Sequence, residues 1–148
     1  MCIRDSLGGA SVEDADRLYD FGMHIGVAFQ LKDDLLDVYG NAKVFGKNIG
    51  GDILCNKKTY MLIKALEHAN ADQHNQLNSW INAETFQPAE KIAAVTELYD
   101  RIGVKAVCEN KILEYSNRAM ESLAAVSIAE EKKEELKKII ENLIHREV

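Results

Sequence analysis

The sequence predicts an all-α protein, a helical bundle without a sheet. Three observations predict it: there is one proline (Pro88) in 148 residues; Ala, Leu, Ile, Lys and Glu, all compatible with helix, are plentiful; and apolar residues recur at three- and four-residue spacing while no alternating pattern persists. Hydrophobic residues make up 47%, enough for the core of one domain. The net charge of −6, without a dense basic run, argues against nucleic acid as a partner. No apolar stretch approaches the roughly 18 residues of a membrane span, so a soluble, cytoplasmic protein is expected.

Met1-Cys2-Ile3-Arg4-Asp5-Ser6 fits neither a helix start nor a targeting signal. It reads as a lead-in foreign to the natural protein, which leaves 7–148 as the folded portion. Ser11 caps a first helix, with Asp14 at the capping-box position. That helix runs to about Tyr39 on Ala15, Leu18, Tyr19, Ile25, Phe29 and Leu36. One face carries Gly22, Gly26, Phe29, Asp33 and Asp37; helical glycine costs roughly 0.5–1 kcal/mol, so close approach by a neighbouring helix or a ligand is expected, packing first. Gly40 ends the helix. Residues 40–51 read as a glycine-rich loop, and Asp52 as the cap of a helix over about 53–70 with Lys57, Lys58 and Thr59 in its early turns.

Polar residues 71–76 interrupt the pattern before a short helix through Trp80. Pro88 suits the first turn of a helix over 88–102, and Gly103 marks a break before 104–125. A last amphipathic helix over 129–147 is expected to bury Leu136, Ile139, Ile140, Leu143 and Ile144. Cys2, Cys55 and Cys108 form no metal-binding pair; Cys55 and Cys108 read as small buried apolar residues of a reduced protein.

Chemistry concentrates at Asp33, Asp34 and Asp37. Acids one turn apart repel each other by about 0.2–0.5 kcal/mol, and a divalent cation would remove that cost. Magnesium needs only one or two carboxylates when phosphates supply other ligands. Acidic runs are commonly solvated surface. Here, however, the acids interrupt an apolar stripe of Phe29, Leu31, Leu35, Leu36 and Val38, so they face an interior where an uncompensated charge is costly. Lys47, then Lys57 and Lys58 near a helix start, add point charges suited to phosphate. Together they suggest a metal-bridged diphosphate.

Residues 26–59, GVAFQLKDDLLDVYGNAKVFGKNIGGDILCNKKT, resemble the second aspartate-rich region of trans-isoprenyl diphosphate synthases, the polyprenyl synthetase family. The elements G-x-A-F-Q-x-x-D-D-x-x-D, G-K, G-x-D and K-x-T stand in the family's order. Asn56 departs from the glycine that many relatives have before the lysine. The later part of the chain is similar in helical character alone.

The resemblance implies the C-terminal part of an isoprenoid synthase fold and a Mg2+-dependent transfer joining an allylic diphosphate to isopentenyl diphosphate, giving short- to medium-chain products. It implies Asp33 as principal magnesium ligand, with Asp34 and Asp37 in support. Lys47 and Lys57 would hold the allylic diphosphate, Gln30 would lie beside the reacting centre, and Phe29 would line the isopentenyl side. Asp52 would hold the loop or a metal-bound water, and Thr59 would cap or pack. Relatives are usually homodimers. The family's first aspartate-rich motif is not found in this sequence, so the chain alone is expected not to catalyse transfer and to expose an apolar patch. The alternative is a non-catalytic helical partner subunit of a complete synthase; the retained acids favour the enzyme.

Overall fold

A computed structural model describes residues 8–40 and 49–144, apart from the side chain of Ile144. The lead-in 1–6, Cys2, Lys47 and most of the glycine-rich loop lie outside the described residues. Among those described there are seven helical segments and no strand: α1 (Val12–Tyr39), α2 (Gly51–Leu54), α3 (Tyr60–His68), α4 (Ala71–Asn82), α5 (Pro88–Ile102), α6 (Val104–Ala124) and α7 (Glu130–Ile144). The all-helical expectation holds. No helix among them is long and apolar enough to cross a membrane.

Two compact units divide the chain, one from residues 8–30 and 111–144 and the other from 31–110. In the first, Phe21, Ala119, Leu123 and Ile140 form the core, with Leu18, Ile25, Met120 and Leu136 packed on it. Burying a side chain such as Leu123 contributes about 1.5–3 kcal/mol. Ile139 departs from expectation, being 52% exposed, because α7 turns only one edge of its apolar stripe to this core. Lys133 is buried instead, its ammonium donating to the Ala124 carbonyl and to Glu130.

The amide of Asp14 donates to Ser11 Oγ at 3.1 Å, so Ser11 is the cap. The Asp14 carboxylate is drawn elsewhere, accepting from the Ser127 amide at 2.9 Å and from Arg17. The Ser127 bond, with help from Arg17, holds the Asp14 carboxyl below its ordinary 3.8. A depressed folded pKa gives support that is complete above the unfolded value and is lost as pH falls through the folded one. Asp14→Asn is therefore expected to lose less stability than the parent between pH 5 and pH 3 in urea titrations; equal losses would remove this linkage.

The packing expected for Gly22 and Gly26 is not found. A Cβ on either would meet nothing within 4 Å among the described residues. Tyr19, Met23, Val27 and Phe29 on the same helix are exposed, so this part of α1 presents apolar side chains and bare backbone.

In the second unit α5 is the central support, packing against α2, α3 and α4. Val95, Leu98 and Tyr99 are buried on it, with Met61, Leu62 and Leu77 from α3 and α4 in the same unit's core. Pro88 takes the first turn as expected, and Gly103 stops the helix with φ +83°. The single helix expected over 53–70 is broken: α2 stops at Leu54, and Thr59 starts α3 by accepting the Leu62 amide at 3.2 Å. Asp52 thus lies inside α2 rather than capping it, and Lys57 and Lys58 occupy the intervening turn. Residues 71–76 are helical despite their polarity, because Asn70 and Gln73 form a reciprocal capping box. Cys108 is buried as expected, and burial pushes its thiol up to about 12. Cys55 is exposed, because it closes a four-residue helix at the surface.

Candidate functional site

The second unit contains the end of α1 with Asp33, Asp34 and Asp37, laced to the segment that follows the loop. The Gly50 amide donates to the Asp37 carbonyl at 2.6 Å, and the Asp52 amide to Asp37 Oδ2 at 2.9 Å. Gly50 has φ +86°, a conformation natural to glycine. It lets the chain turn directly into α2 with its amides aimed at Asp37.

The three acids have different surroundings. Asp34 is 7% exposed and its Oδ1 accepts from Lys57 Nζ at 2.8 Å, while Asp33 and Asp37 are half-buried. Lys57 Nζ also reaches Asp52 Oδ2 at 2.9 Å. Bonds to Asp34 and then Asp52 raise the Lys57 amine above the ordinary lysine range, so it is held as an ammonium ion. Burial pushes the Asp37 carboxyl up and the Asp52 charge adds to this, against the pull of the Asp52 amide. Among the described residues no three or more His, Cys, Asp or Glu side chains gather as a metal cage. Asp34 meets Lys57 and Asp37 meets the Asp52 amide, so the described acids offer carboxylate oxygens without converging as a set of three. That donor set suits magnesium, which takes few protein oxygens when phosphates complete its shell; a cation here would also favour the ionised Asp37.

Lys58 is exposed, so the two adjacent lysines separate, Lys57 to the acids and Lys58 to solvent. Phe29, 47% exposed, and Gln30, also exposed, belong to the first unit. Beside Lys57 a cavity of about 20 Å³ is lined in part by Asp52, Asn56, Trp80, Lys91 and Tyr99. It has room for roughly one water, far too little for a prenyl chain.

Sequence reasoning noted Asn56 only as a departure from the family pattern and passed over Lys91. Asn56 has φ +53°, the left-handed region that asparagine tolerates better than most residues. This suits asparagine to the position. Its Nδ2 donates to the Ile81 carbonyl at 3.0 Å, and its Oδ1 accepts from Lys91 Nζ at 2.7 Å. Lys91 had a legible signal: it precedes Val95 and Leu98 at helical spacing, on the stripe that α5 buries.

The polyprenyl synthetase family model matches residues 4–99. A short chain isoprenyl diphosphate synthase of Methanothermobacter thermautotrophicus is 31% identical over 95% of this chain and 42% of its own length. An octaprenyl diphosphate synthase of Haemophilus influenzae is 35% identical over 77% of this chain and 32% of its own. Among solved structures, a geranylgeranyl pyrophosphate synthase superposes with TM-score 0.87 at 32% identity, over 97% of this chain and 45% of that one. Another from Corynebacterium glutamicum, complexed with isoprenyl diphosphate and magnesium, gives 0.84 at 30% identity, over 95% and 40%. The chain therefore spans about two fifths of the length of its first curated relative.

Proposed function

The chain belongs to the polyprenyl synthetase family, and on that premise we propose that its second unit is a magnesium–diphosphate wall of a trans-prenyltransferase. The observation that carries this reading is Lys57 Nζ bonded to both Asp34 and Asp52, with its charge felt by the Asp37 carboxylate. Carboxylates suit a hard cation and an ammonium suits phosphate oxygens, which supports this reading.

In the whole protein the proposed reaction joins an allylic diphosphate to isopentenyl diphosphate. Asp33, Asp34 and Asp37 would hold magnesium. When bound, the metal would neutralise charge gathering on the diphosphate oxygens as the allylic C–O bond breaks. Lys57, kept protonated by its two carboxylates, donates hydrogen bonds to the leaving diphosphate; as an ammonium it cannot serve as the base. The proton lost in the last step would go to that diphosphate. Lys47 is assigned a second contact to the same group, and Gln30 and Phe29 stand near the reacting carbons, roles that rest on the family pattern. Apolar surroundings keep water from the allylic cation.

The test uses the 148-residue chain and inorganic pyrophosphate, with calorimetry in the presence and absence of magnesium. Binding is expected only with the metal. Asp33→Ala is expected to weaken it about tenfold or more, as loss of a charged contact worth about 1.5–3 kcal/mol requires. Glu134→Ala, in a surface ion pair with Lys137, is expected to bind as the parent does. Metal-independent binding, or equal affinity in the two variants, would overturn the assignment.

A further inference from the structure

We propose that Lys91 is a positioning residue for the diphosphate site, acting through Asn56 to fix the turn that aims Lys57 at Asp34 and Asp52. The inference rests on the reading of Lys57 as a diphosphate ligand, and it concerns residues outside the aspartate-rich motif.

Lys91 is 1% exposed on the supporting helix α5. Its ammonium meets Asn56 Oδ1 at 2.7 Å and lies 4.2 Å from the centroid of the Phe86 ring. Both are neutral partners. Burial accordingly pulls the amine below the ordinary lysine value. A buried cation so placed is a poor source of stability, since an apolar side chain of similar length would avoid the desolvation cost.

What the long side chain does supply is reach. From α5 it extends to Asn56, the residue with a left-handed backbone in the segment between α2 and α3. The amide side of the same Asn56 group is anchored to the Ile81 carbonyl near the end of α4. Asn56 is therefore held from two helices by opposite ends of its side chain.

Lys57 is the next residue. Its amide donates to the Asp52 carbonyl at 3.0 Å while its ammonium reaches Asp34 and Asp52. One peptide separates the anchored residue from the lysine it orients, so loosening Asn56 redirects Lys57 without touching either carboxylate.

Three variants test the proposal: Asn56→Gly, which keeps the left-handed backbone and removes both the acceptor for Lys91 and the donor to Ile81; Lys91→Met, which keeps bulk and removes the amine; and the two combined. Each is read by amide hydrogen exchange and by magnesium-dependent pyrophosphate affinity. In each single variant the Lys57 amide is expected to exchange about tenfold faster, with Ile140 in the other unit unchanged. Pyrophosphate affinity is expected to fall roughly threefold to tenfold in each, and no further in the double variant, because the two side chains act as one device. Global loosening would move Ile140 as well. Unchanged Lys57 exchange in both single variants, or losses that multiply in the double, would overturn the proposal. If Lys91→Met does not fold, Asn56→Gly decides the question alone. If the parent itself does not bind pyrophosphate, the reading of the site fails, while exchange at Lys57 still decides whether Lys91 positions the turn.

Discussion

Gly50→Ala is expected to destabilise the second unit by about 2–6 kcal/mol, a large part of a typical total of about 5–15 kcal/mol. Two costs combine. The residue has φ +86°, and a Cβ there would lie 2.7 Å from Ile92 Cδ1 and Cγ1 and 3.0 Å from Cγ2. Left-handed backbone in a residue with a side chain costs about 1–3 kcal/mol, and overpacking a closed contact typically about 1–3 kcal/mol. Ile92 cannot rotate out of the way easily, because both branches of its side chain approach the same point. Gly103→Ala is the natural comparison: φ is +83° but nothing lies within 4 Å, so only the backbone cost applies. Urea unfolding of both variants measures the contact by difference. Equal destabilisation would mean that Ile92 yields freely. Because the Gly50 amide is bonded to the Asp37 carbonyl, Gly50→Ala should also weaken magnesium-dependent pyrophosphate binding.

Lys57→Met is expected to separate metal from anion. Removing the ammonium takes one positive charge from Asp34 and Asp52 and one donor from the bound diphosphate. Magnesium alone should then bind at least as tightly as to the parent, while affinity for pyrophosphate in saturating magnesium falls about tenfold or more. Stability should fall by about 1–3 kcal/mol, since the Lys57 side chain is 44% exposed but that of Asp34, 8% exposed, is left with one charged partner fewer. Calorimetry with the metal first and pyrophosphate second resolves the two. Unaltered pyrophosphate affinity would remove Lys57 from the site.

Helix periodicity carried most of the fold. The ends of α1 and the start of α5 were legible because Ser11, Gly40 and Pro88 are strong local signals. The break between α2 and α3 was not, since Thr59 as a cap is overshadowed by the apolar run around it. The polar start of α4 was missed for the opposite reason: its stability comes from the Asn70–Gln73 box rather than from apolar spacing. At the site, charge type was legible and pairing was not. Nothing in a linear pattern tells which of Asp33, Asp34 and Asp37 meets a lysine 20 or more residues later. That depends on the turn at Gly50 and on Asn56, whose backbone conformations are set by packing against α5. Gly22 and Gly26 were legible as a surface prepared for close approach, but not as an uncovered one.

The two units also differ in how their parts are spaced along the polypeptide. Helices α2 to α5, which build much of the second, follow one another directly, so their contacts can form as soon as they emerge from a ribosome. The first cannot be completed this way. The Asp14–Ser127 bond spans 113 residues, and the Phe21 core waits for α6 and α7. At synthesis rates of about 5–20 residues per second, the apolar side chains near the start of α1 remain uncovered for on the order of ten seconds. During translation, that segment is the natural client for a holding chaperone.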